Sequence, residues 1–395
     1  MPIRPAKRTA PFEESVIRDM SRVAAREGAV NLAQGFPDFA APADMKAAAK
    51  AAIDADINQY AVTWGAPRLR TAIAERTAAY NGFPVDADTQ VTVCCGATEA
   101  MIATLMATID PGDEVVIFEP FYENYGPDCQ LSGATPRFVR LSGPAFTFDP
   151  DELAAAFNER TKAVIVNTPH NPTGKVFDRA ELQVIADLCR RHDALAITDE
   201  IYEYILYDDT EHLSIATLPG MAERTVTISG LSKTWSATGW RIGWCIAPPE
   251  LTGAIRKVHD FLTVGAPAPL QEAAAEALGF GDAYFDELRR AYAERRALIV
   301  QALDAIGLPY LMPRGAYYVM ADITSFRAPG QTDTDFALAL AKDGGVATVP
   351  GSSFFSDPSD GHHLIRFCFA KQHATLERAA TILRERLAPR KVDNG

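Results

Sequence analysis

The sequence has few cysteines, and none of them is spaced for a disulfide framework or a metal centre. It contains six, at positions 94, 95, 129, 189, 245 and 368, and no two are separated by two residues. Zinc and redox motifs need such paired spacing, and adjacent cysteines make a poor disulfide framework. We therefore expect reduced thiols, a cytoplasmic location and no bound metal.

A long apolar run is also missing. Residues 1–8 carry positive charge, but no apolar stretch follows them, so we expect no signal peptide. No stretch approaches the roughly 20 apolar residues that a helix needs to cross a bilayer. The sequence predicts a soluble chain without a membrane partner.

An excess of positive charge is absent as well. Lys and Arg number 38 against 51 Asp and Glu, which gives a net charge of −13. Phosphate backbones bind clustered Lys and Arg, so this balance argues against nucleic acid and anionic membranes as partners. It leaves room for a local cationic pocket that binds a small anion.

What the sequence does contain is an alternation of apolar, strand-like runs with helical stretches. Continuous apolar strands between helices are typical of an α/β fold with a largely parallel sheet covered on both faces. In such sheets, ligands bind at the carboxyl ends of the strands. The seven predicted strands are 91–95, 114–119, 136–141, 163–167, 195–198, 225–229 and 241–247.

The chain of 395 residues is too long for one ordinary core, so two lobes are expected. A charged helix pattern over 282–306 ends near Gly307 and leads away from the sheet. After it the pattern predicts a smaller α+β lobe with strands at 316–322, 345–349 and 364–369 and helices at 334–342 and 373–387. We predict an N-terminal arm and part of the small domain over 1–44, a large domain over 45–284 and a small domain over 285–395.

The segment 225–244 carries the first candidate for chemistry. A β-branched run leads into a turn of small residues that presents Lys233 among hydroxyl groups. A lysine in that position is a plausible Schiff-base nucleophile. Taken alone, a solvated loop lysine is the more frequent case, because lysines are mostly exposed.

Two further turns follow predicted strands. In 95–100, small residues between a strand and a helix allow Gly96, Ala97 and Thr98 to turn backbone N–H groups towards a phosphate, although a tight structural turn explains the pattern too. In 167–174, two Asn and two Pro describe a rigid turn. This turn would hold the Asn171 side chain as a fixed donor.

An acidic and an aromatic residue close another strand. Asp199 directly follows a buried run, where a carboxylate is costly unless it meets a cation or strong donor. Tyr202 comes three residues later, one helical turn on, so both groups are able to face one ligand. A helix cap is the alternative for Asp199.

Three more positions have a functional and a plain interpretation. Tyr122 follows a strand, where it either packs in the core or stacks on a flat ring. Arg366 lies within an apolar strand and pairs with either an internal carboxylate or that of a ligand. Gly35, in the aromatic-rich turn 31–39, marks either a connector or a close backbone approach to a ligand.

Taken together, these residues resemble the class I and II aminotransferases of pyridoxal-phosphate fold type I. Within that family they are most similar to the kynurenine aminotransferase, glutamine transaminase K and bacterial methionine aminotransferase branch. The resemblance covers nearly the whole chain. It is carried by segments 31–39 (NLAQGFPDF), 167–175 (NTPHNPTGK), 236–244 (SATGWRIGW) and 365–369 (IRFCF).

The resemblance implies a role for each residue around pyridoxal 5′-phosphate. Lys233 would form the Schiff base and shuttle the proton, while Asp199 would pair with the pyridinium nitrogen. Tyr202 and Asn171 would hydrogen-bond the phenolic oxygen of the ring, and Tyr122 would stack on its face.

For the anionic groups, the resemblance implies two sites. The phosphate would bind Gly96, Ala97, Thr98 and Arg241, helped by Tyr60 from a neighbouring subunit of a homodimer with shared active sites. The α-carboxylate of the substrate would bind Arg366, with Gly35 and Asn171 close by.

Two positions depart from the family pattern. Gly230 stands three residues before the lysine, where many relatives have a phosphate-binding serine, which leaves water or Ser229 as a substitute. Arg241 stands where similar proteins often have lysine, which favours bidentate phosphate binding.

The activity implied is transfer of an amino group from an L-amino acid to a 2-oxo acid by a ping-pong mechanism. A glutamine, methionine or aromatic donor is favoured by the branch. A β-lyase that splits cysteine conjugates or cystathionine is the alternative on the same scaffold. A non-catalytic regulator that binds pyridoxal phosphate is a third possibility, which the acidic charge and the lack of a DNA-binding segment before residue 30 disfavour.

Overall fold

The computed structural model describes residues 4, 6–10, 12 and 14–387. Its helices are α1 Val16–Glu27, α2 Ala43–Asp54, α3 Pro67–Asn81, α4 Ala97–Thr108, α5 Tyr125–Ser132, α6 Pro150–Ala156, α7 Arg179–His192, α8 Pro249–Thr263, α9 Ala268–Leu278, α10 Asp282–Ile306, α11 Asp333–Ala341 and α12 His373–Leu387. Its strands are β1 Val30–Asn31, β2 Val91–Cys94, β3 Glu114–Glu119, β4 Thr135–Arg140, β5 Thr161–Asn167, β6 Leu195–Asp199, β7 Thr225–Gly230, β8 Gly243–Ile246, β9 Tyr318–Asp322, β10 Val346–Ala347, β11 Val349–Pro350 and β12 Leu364–Cys368. None of the described helices combines the length and apolarity needed to cross a membrane.

A seven-stranded sheet forms the centre of the large lobe. Its strand order is β2-β8-β7-β6-β5-β3-β4. Among these described strands, β8 runs in the opposite direction to the other six. The predicted α/β fold with a mostly parallel sheet is confirmed. Each of the seven predicted runs forms one of these strands, with ends that differ by up to two residues.

The sheet is covered on both faces because its side chains alternate between two apolar clusters. On β3, Val116 and Phe118 face the cluster that includes α6 and α7, whereas Val115 and Ile117 face the one that includes α4 and α5. Successive side chains of a strand point to opposite faces, so a run of apolar residues without polar interruption is what a doubly covered sheet requires.

The smaller sheet elements come from both ends of the chain. Strands β11, β12 and β9 form an antiparallel sheet, and β1 of the N-terminal segment pairs in parallel with β10. The predicted single strand 345–349 is therefore wrong, because β10 and β11 belong to different sheets. The proposed domain limits at 44/45 and 284/285 stay a prediction.

Local sequence signals explain where two of the helices start or stop. Helix α7 begins with a capping box, in which Asp178 accepts from the Glu181 backbone and Glu181 reaches back to Asp178. Helix α10 ends at Gly307, whose positive φ of 67° suits glycine, as the sequence predicts. The predicted strand at 241–247 starts only at Gly243, because Arg241 is left-handed with φ 56°.

Candidate active site

The carboxyl ends of β5, β6 and β7 border one cavity, as expected for a parallel sheet. Residues of the N-terminal segment, of the turn before α4 and of β12 complete its wall. Ten of the twelve predicted site residues line this cavity, namely Gly35, Ala97, Thr98, Tyr122, Asn171, Asp199, Tyr202, Lys233, Arg241 and Arg366. Gly96 lies directly beneath Arg241, and Tyr60 lies elsewhere.

Lys233 is held inside the cavity rather than in solvent. Its Nζ donates to the carbonyl of Gly35 at 3.1 Å and lies within 6 Å of the rings of Tyr202 and Tyr317. Burial lowers the pKa of Lys233 to about 8, because a charged amine loses its hydration there. The interpretation as a solvated loop lysine is therefore wrong.

Gly35 is required where it stands. A Cβ at this position would lie 2.0 Å from the Tyr318 hydroxyl, so no other residue fits without displacing that ring. Its carbonyl also accepts from Tyr317 Oη at 2.9 Å. The close approach of the Tyr318 ring requires this glycine, whereas the predicted approach to a ligand stays a prediction.

Asp199 is a buried carboxylate that lacks a cationic partner. It accepts from Tyr125 Oη at 2.8 Å, and no Lys, Arg or His nitrogen of the described residues lies within 4.0 Å. Burial raises the pKa of Asp199, while the Tyr125 hydrogen bond opposes that shift. The chain beyond it forms a turn over 201–204 rather than a helix, so the helix-cap interpretation is wrong.

Arg366 is the complementary case, a buried cation without an acid. It donates to Asn171 Oδ1 and to the Ala33 carbonyl, both at 2.8 Å, and its Nε has no partner. Within the described residues no carboxylate oxygen lies within 4.0 Å, so the internal salt-bridge interpretation is wrong. A guanidinium left in this state suits the carboxylate of a ligand.

Asn171 and Tyr202 are fixed by their neighbours. The Asn171 backbone N–H donates to Asn167 Oδ1 at 2.7 Å, and its side-chain oxygen is taken by Arg366, which leaves its amide NH₂ to donate. Tyr202 Oη lies 3.0 Å from Tyr318 Oη. The Asn171 amide thus presents a donor to the cavity, and the Tyr202 hydroxyl lies beside it, paired with that of Tyr318.

A second group of contacts forms a cradle for an anion. The N-terminus of α4 is closed by Gly96, where φ is 87° and where a Cβ would lie 2.2 Å from Arg241 Nη2. Arg241 donates to the carbonyls of Thr238 and Cys95 at 2.9 and 3.4 Å. Free N–H groups of a helix start beside a guanidinium are suited to phosphate.

Packing explains why position 230 holds a glycine and not a phosphate-binding serine. At Gly230 a Cβ would lie 2.9 Å from Gly243 Cα, which excludes a serine there. Ser229 donates to Glu203 at 2.7 Å, on the other side of the strand, whereas Ser232 lines the cavity. The available hydroxyl is therefore that of Ser232 and not that of Ser229.

Three tyrosines of the site were not predicted from the sequence. Tyr125 donates to Asp199, and Tyr317 and Tyr318 contact Lys233, Tyr202 and Arg366. Tyr125 follows Tyr122 by three residues, a spacing that would have signalled a shared face. The pair at 317–318 gave no such signal, because its partners are distant in sequence.

A second lysine donates to backbone carbonyls of the N-terminal segment, as Lys233 and Arg366 do. Lys371 Nζ donates to the carbonyls of Gln34 and Phe36 at 3.3 and 2.8 Å. With Arg366 on Ala33 and Lys233 on Gly35, four consecutive carbonyls over 33–36 accept from cationic side chains.

The chain is similar to known proteins over nearly its whole length. The profile of the family described as aminotransferase class I and II matches residues 27–383. The chain is 38% identical to kynurenine–oxoglutarate transaminase 3 of Mus musculus, covering 96% of this chain and 89% of that protein. It is similar to the solved structure of N-succinyldiaminopimelate aminotransferase from Mycobacterium tuberculosis, with TM-score 0.93, 39% identity and coverage of 96% and 99%. It resembles an Escherichia coli structure with a methionine aminotransferase function at TM-score 0.93 and 37% identity, over 97% of this chain and all of that one.

The lowered pKa of Lys233 predicts selective reactivity. With its pKa at about 8, roughly half of its amine is neutral at pH 8, against about one in 250 for an ordinary lysine. Reductive methylation with formaldehyde at limiting reagent should label Lys233 first, with a midpoint near pH 8, as read by peptide mass spectrometry. Lys162, exposed at the start of β5, is the control, and equal labelling of both lysines at pH 8 would contradict the assignment.

Proposed function

Because the chain belongs to the aminotransferase class I and II family, we propose that its ten cavity residues and Gly96 form the catalytic site. Like other members of this family, it is a pyridoxal-phosphate-dependent transaminase that uses amino acids and 2-oxo acids. The observation that carries the residue assignment is the trio of a buried unpaired carboxylate, a buried unpaired guanidinium and a partly neutral amine in one cavity.

The cavity fits pyridoxal phosphate at each of its polar groups. Asp199 lacks a cation, which the protonated ring nitrogen would supply. The glycine-closed start of α4 and Arg241 offer the phosphate site, with Ser232 as an added hydroxyl. Tyr202 and the Asn171 amide would hold the ring oxygen, and Tyr122 would cover a face of the ring.

When bound, pyridoxal phosphate supplies an aldehyde that condenses with amines and a ring that withdraws electrons from the substrate Cα. Lys233 Nζ, partly neutral at physiological pH, would be the nucleophile towards that aldehyde. Once a substrate amine has displaced it, the free Nζ would hold and move the proton of the substrate Cα. The charge of Asp199 would keep the ring nitrogen protonated, and Arg366 would orient the amino acid by its α-carboxylate.

The donor we propose is an amino acid with an uncharged side chain, of the glutamine, methionine or aromatic type. Among the described residues of the cavity wall, Arg366 is the one buried guanidinium left for a carboxylate, since Arg241 serves the phosphate and Arg18 is exposed. The aromatic rings of Tyr122, Tyr202 and Tyr318 suit an apolar or flat side chain. The relatives are named transaminases, so nothing favours the β-lyase alternative.

The subunit arrangement we propose is a homodimer in which the partner's Tyr60 reaches the phosphate. Tyr60 is 88% exposed and Phe261 is 91% exposed. The segment 60–64 lies against the end of α8. Its Thr63 carbonyl accepts from His259, and the ring of Trp64 packs under Arg256. Large exposed apolar side chains on two segments that contact each other are typical of an interaction surface.

A cytoplasmic location is part of this proposal. All six cysteines are free, and five of them are buried. Reduced thiols are the normal state in the cytoplasm.

The activity is tested with a panel of donors and 2-oxo acid acceptors. The purified protein should release the 2-oxo acid of glutamine, methionine or an aromatic donor only when an acceptor is present, and Lys233→Ala should abolish this and the visible absorbance of bound cofactor. Lys162→Ala is the control and should behave as the wild type. Pyruvate and ammonia formed without an acceptor would instead indicate the β-lyase, and an unchanged spectrum in Lys233→Ala would remove the lysine from its role.

Arg366→Lys tests the carboxylate site. The lysine keeps the charge but loses the bidentate geometry, so KM for every amino acid should rise roughly tenfold or more. Arg18→Lys, at the exposed mouth, should change KM far less. Steady-state kinetics with methionine, glutamine and glutamate decide the point, and an increase confined to glutamate would show that Arg366 binds a side chain.

Phe261→Glu tests the dimer. A charge at this 91% exposed apolar position should shift the protein towards monomer in analytical ultracentrifugation and weaken cofactor retention, because the partner's Tyr60 is lost. Leu338→Glu, at a 38% exposed position of α11, should do neither. A wild-type protein that sediments as a monomer would refute the proposal.

A further inference from the structure

A buried histidine outside the cavity lies between two acceptors. His259, on α8, places Nδ1 3.0 Å from both carboxylate oxygens of Glu99 and Nε2 2.8 Å from the carbonyl of Thr63. A carbonyl oxygen and a carboxylate both accept, so both ring nitrogens carry a proton. His259 is therefore a buried imidazolium paired with Glu99.

The other groups that face His259 are compatible with this charge. Burial alone would lower the pKa of His259. The hydrogen bond and charge of Glu99 on α4, the hydrogen bond to Thr63 and the charge of Asp260 on its own helix outweigh burial and raise that pKa. At the end of β2, burial raises the pKa values of Cys94 and Cys95, which stay neutral thiols. Ligand atoms of Cys94, Glu99 and His259 lie within 4.8 Å of one another, but a doubly protonated ring has no lone pair for a metal.

Glu99 connects this ion pair to the anion cradle. Its Oε2 accepts from the Cys95 backbone N–H at 3.0 Å, and the Cys95 carbonyl in turn accepts from Arg241 at 3.4 Å. The next residue, Gly96, is in contact with the same guanidinium. Glu99 thus holds the backbone of Cys95 at its N–H, while Arg241 contacts the carbonyl of the same residue.

The second ring nitrogen connects the pair to another segment. Thr63 lies three residues after Tyr60, and its carbonyl is held by His259 Nε2. The histidine therefore ties the segment of Tyr60, the end of α8 and the start of α4 to one point. These three pieces are distant in sequence.

The charge of Glu99 matters because of where it lies. It occupies the first turn of α4, beside the helix end at which a phosphate dianion would bind. An uncompensated carboxylate there would repel the phosphate across a low-dielectric interior. His259 cancels that charge without occupying the cradle.

We propose that His259 is a positioning residue for the cofactor phosphate, which holds the cradle in shape through Glu99 and Thr63 and cancels the charge of Glu99. This rests on the proposed function, in which the cradle binds the phosphate of pyridoxal phosphate. It assigns His259 no contact with substrate or cofactor.

The test compares pyridoxal phosphate with pyridoxal, which lacks the phosphate. Holoenzyme is depleted of cofactor, and the dissociation constants of both compounds are measured by absorbance titration. In His259→Gln, pyridoxal phosphate should bind roughly tenfold or more weakly, whereas pyridoxal should change by less than about twofold. A general loss of structure would weaken both compounds alike, so equal losses would overturn the proposal.

Removing the charge of Glu99 together with that of His259 tests the charge argument directly. In the double variant Glu99→Gln/His259→Gln the repelling carboxylate is gone, so the affinity for pyridoxal phosphate should recover relative to His259→Gln alone. A double variant that binds as weakly as His259→Gln, or more weakly, would overturn the charge argument. His212→Gln is the matched control, since His212 is also buried against a glutamate, Glu200, and should leave the ratio of the two affinities unchanged.

A further variant covers the case in which His259→Gln does not fold. Glu99→Ala removes the acceptor for the Cys95 N–H, so it should selectively weaken pyridoxal phosphate, while Glu99→Gln should bind it within about threefold of the wild type. Equal affinities of Glu99→Ala and Glu99→Gln would overturn the proposal. A wild type that does not prefer pyridoxal phosphate to pyridoxal would instead refute the cradle itself.

Discussion

The site depends on a carboxylate that the protein buries without giving it a cation. Asp199 ends a central strand of the sheet and keeps one phenolic donor, Tyr125. Burying a charge in this way is unfavourable unless a partner arrives. The surrounding residues are arranged for that partner, with an amine on one side and an anion cradle on another. Arg366 is the opposite case, a buried guanidinium without an acidic partner among the residues that the structure describes, and in the function we propose it meets the carboxylate of a substrate.

Much of the fold and of the site was predictable because both depend on local patterns. Buried strands read as continuous apolar runs, and polar residues directly after them had to meet at one edge of the sheet, which brought Asn171, Asp199 and Lys233 together. The family resemblance then supplied roles that spacing alone left open, such as that of Arg366. Where an element is marked by glycine or a cap, as at the end of α10, its limit was predictable too.

The remainder depended on packing between distant segments. The role of Tyr318 follows from its contact with Gly35 and Tyr202, which no spacing reveals. Ser229 was a candidate hydroxyl because it is close to Lys233 in sequence, but alternate residues of a strand face opposite sides, and its hydroxyl meets Glu203. The split of 345–349 between two sheets was hidden because both halves are equally apolar.

The four accepting carbonyls over 33–36 have a consequence for the protein before any ligand arrives. Two of the donors, Lys233 and Arg366, also line the cavity, so the position of this backbone and the positions of the two side chains depend on each other. The N-terminal segment is therefore a structural part of the cavity wall, and any change that displaces it also takes acceptors away from these two cationic side chains.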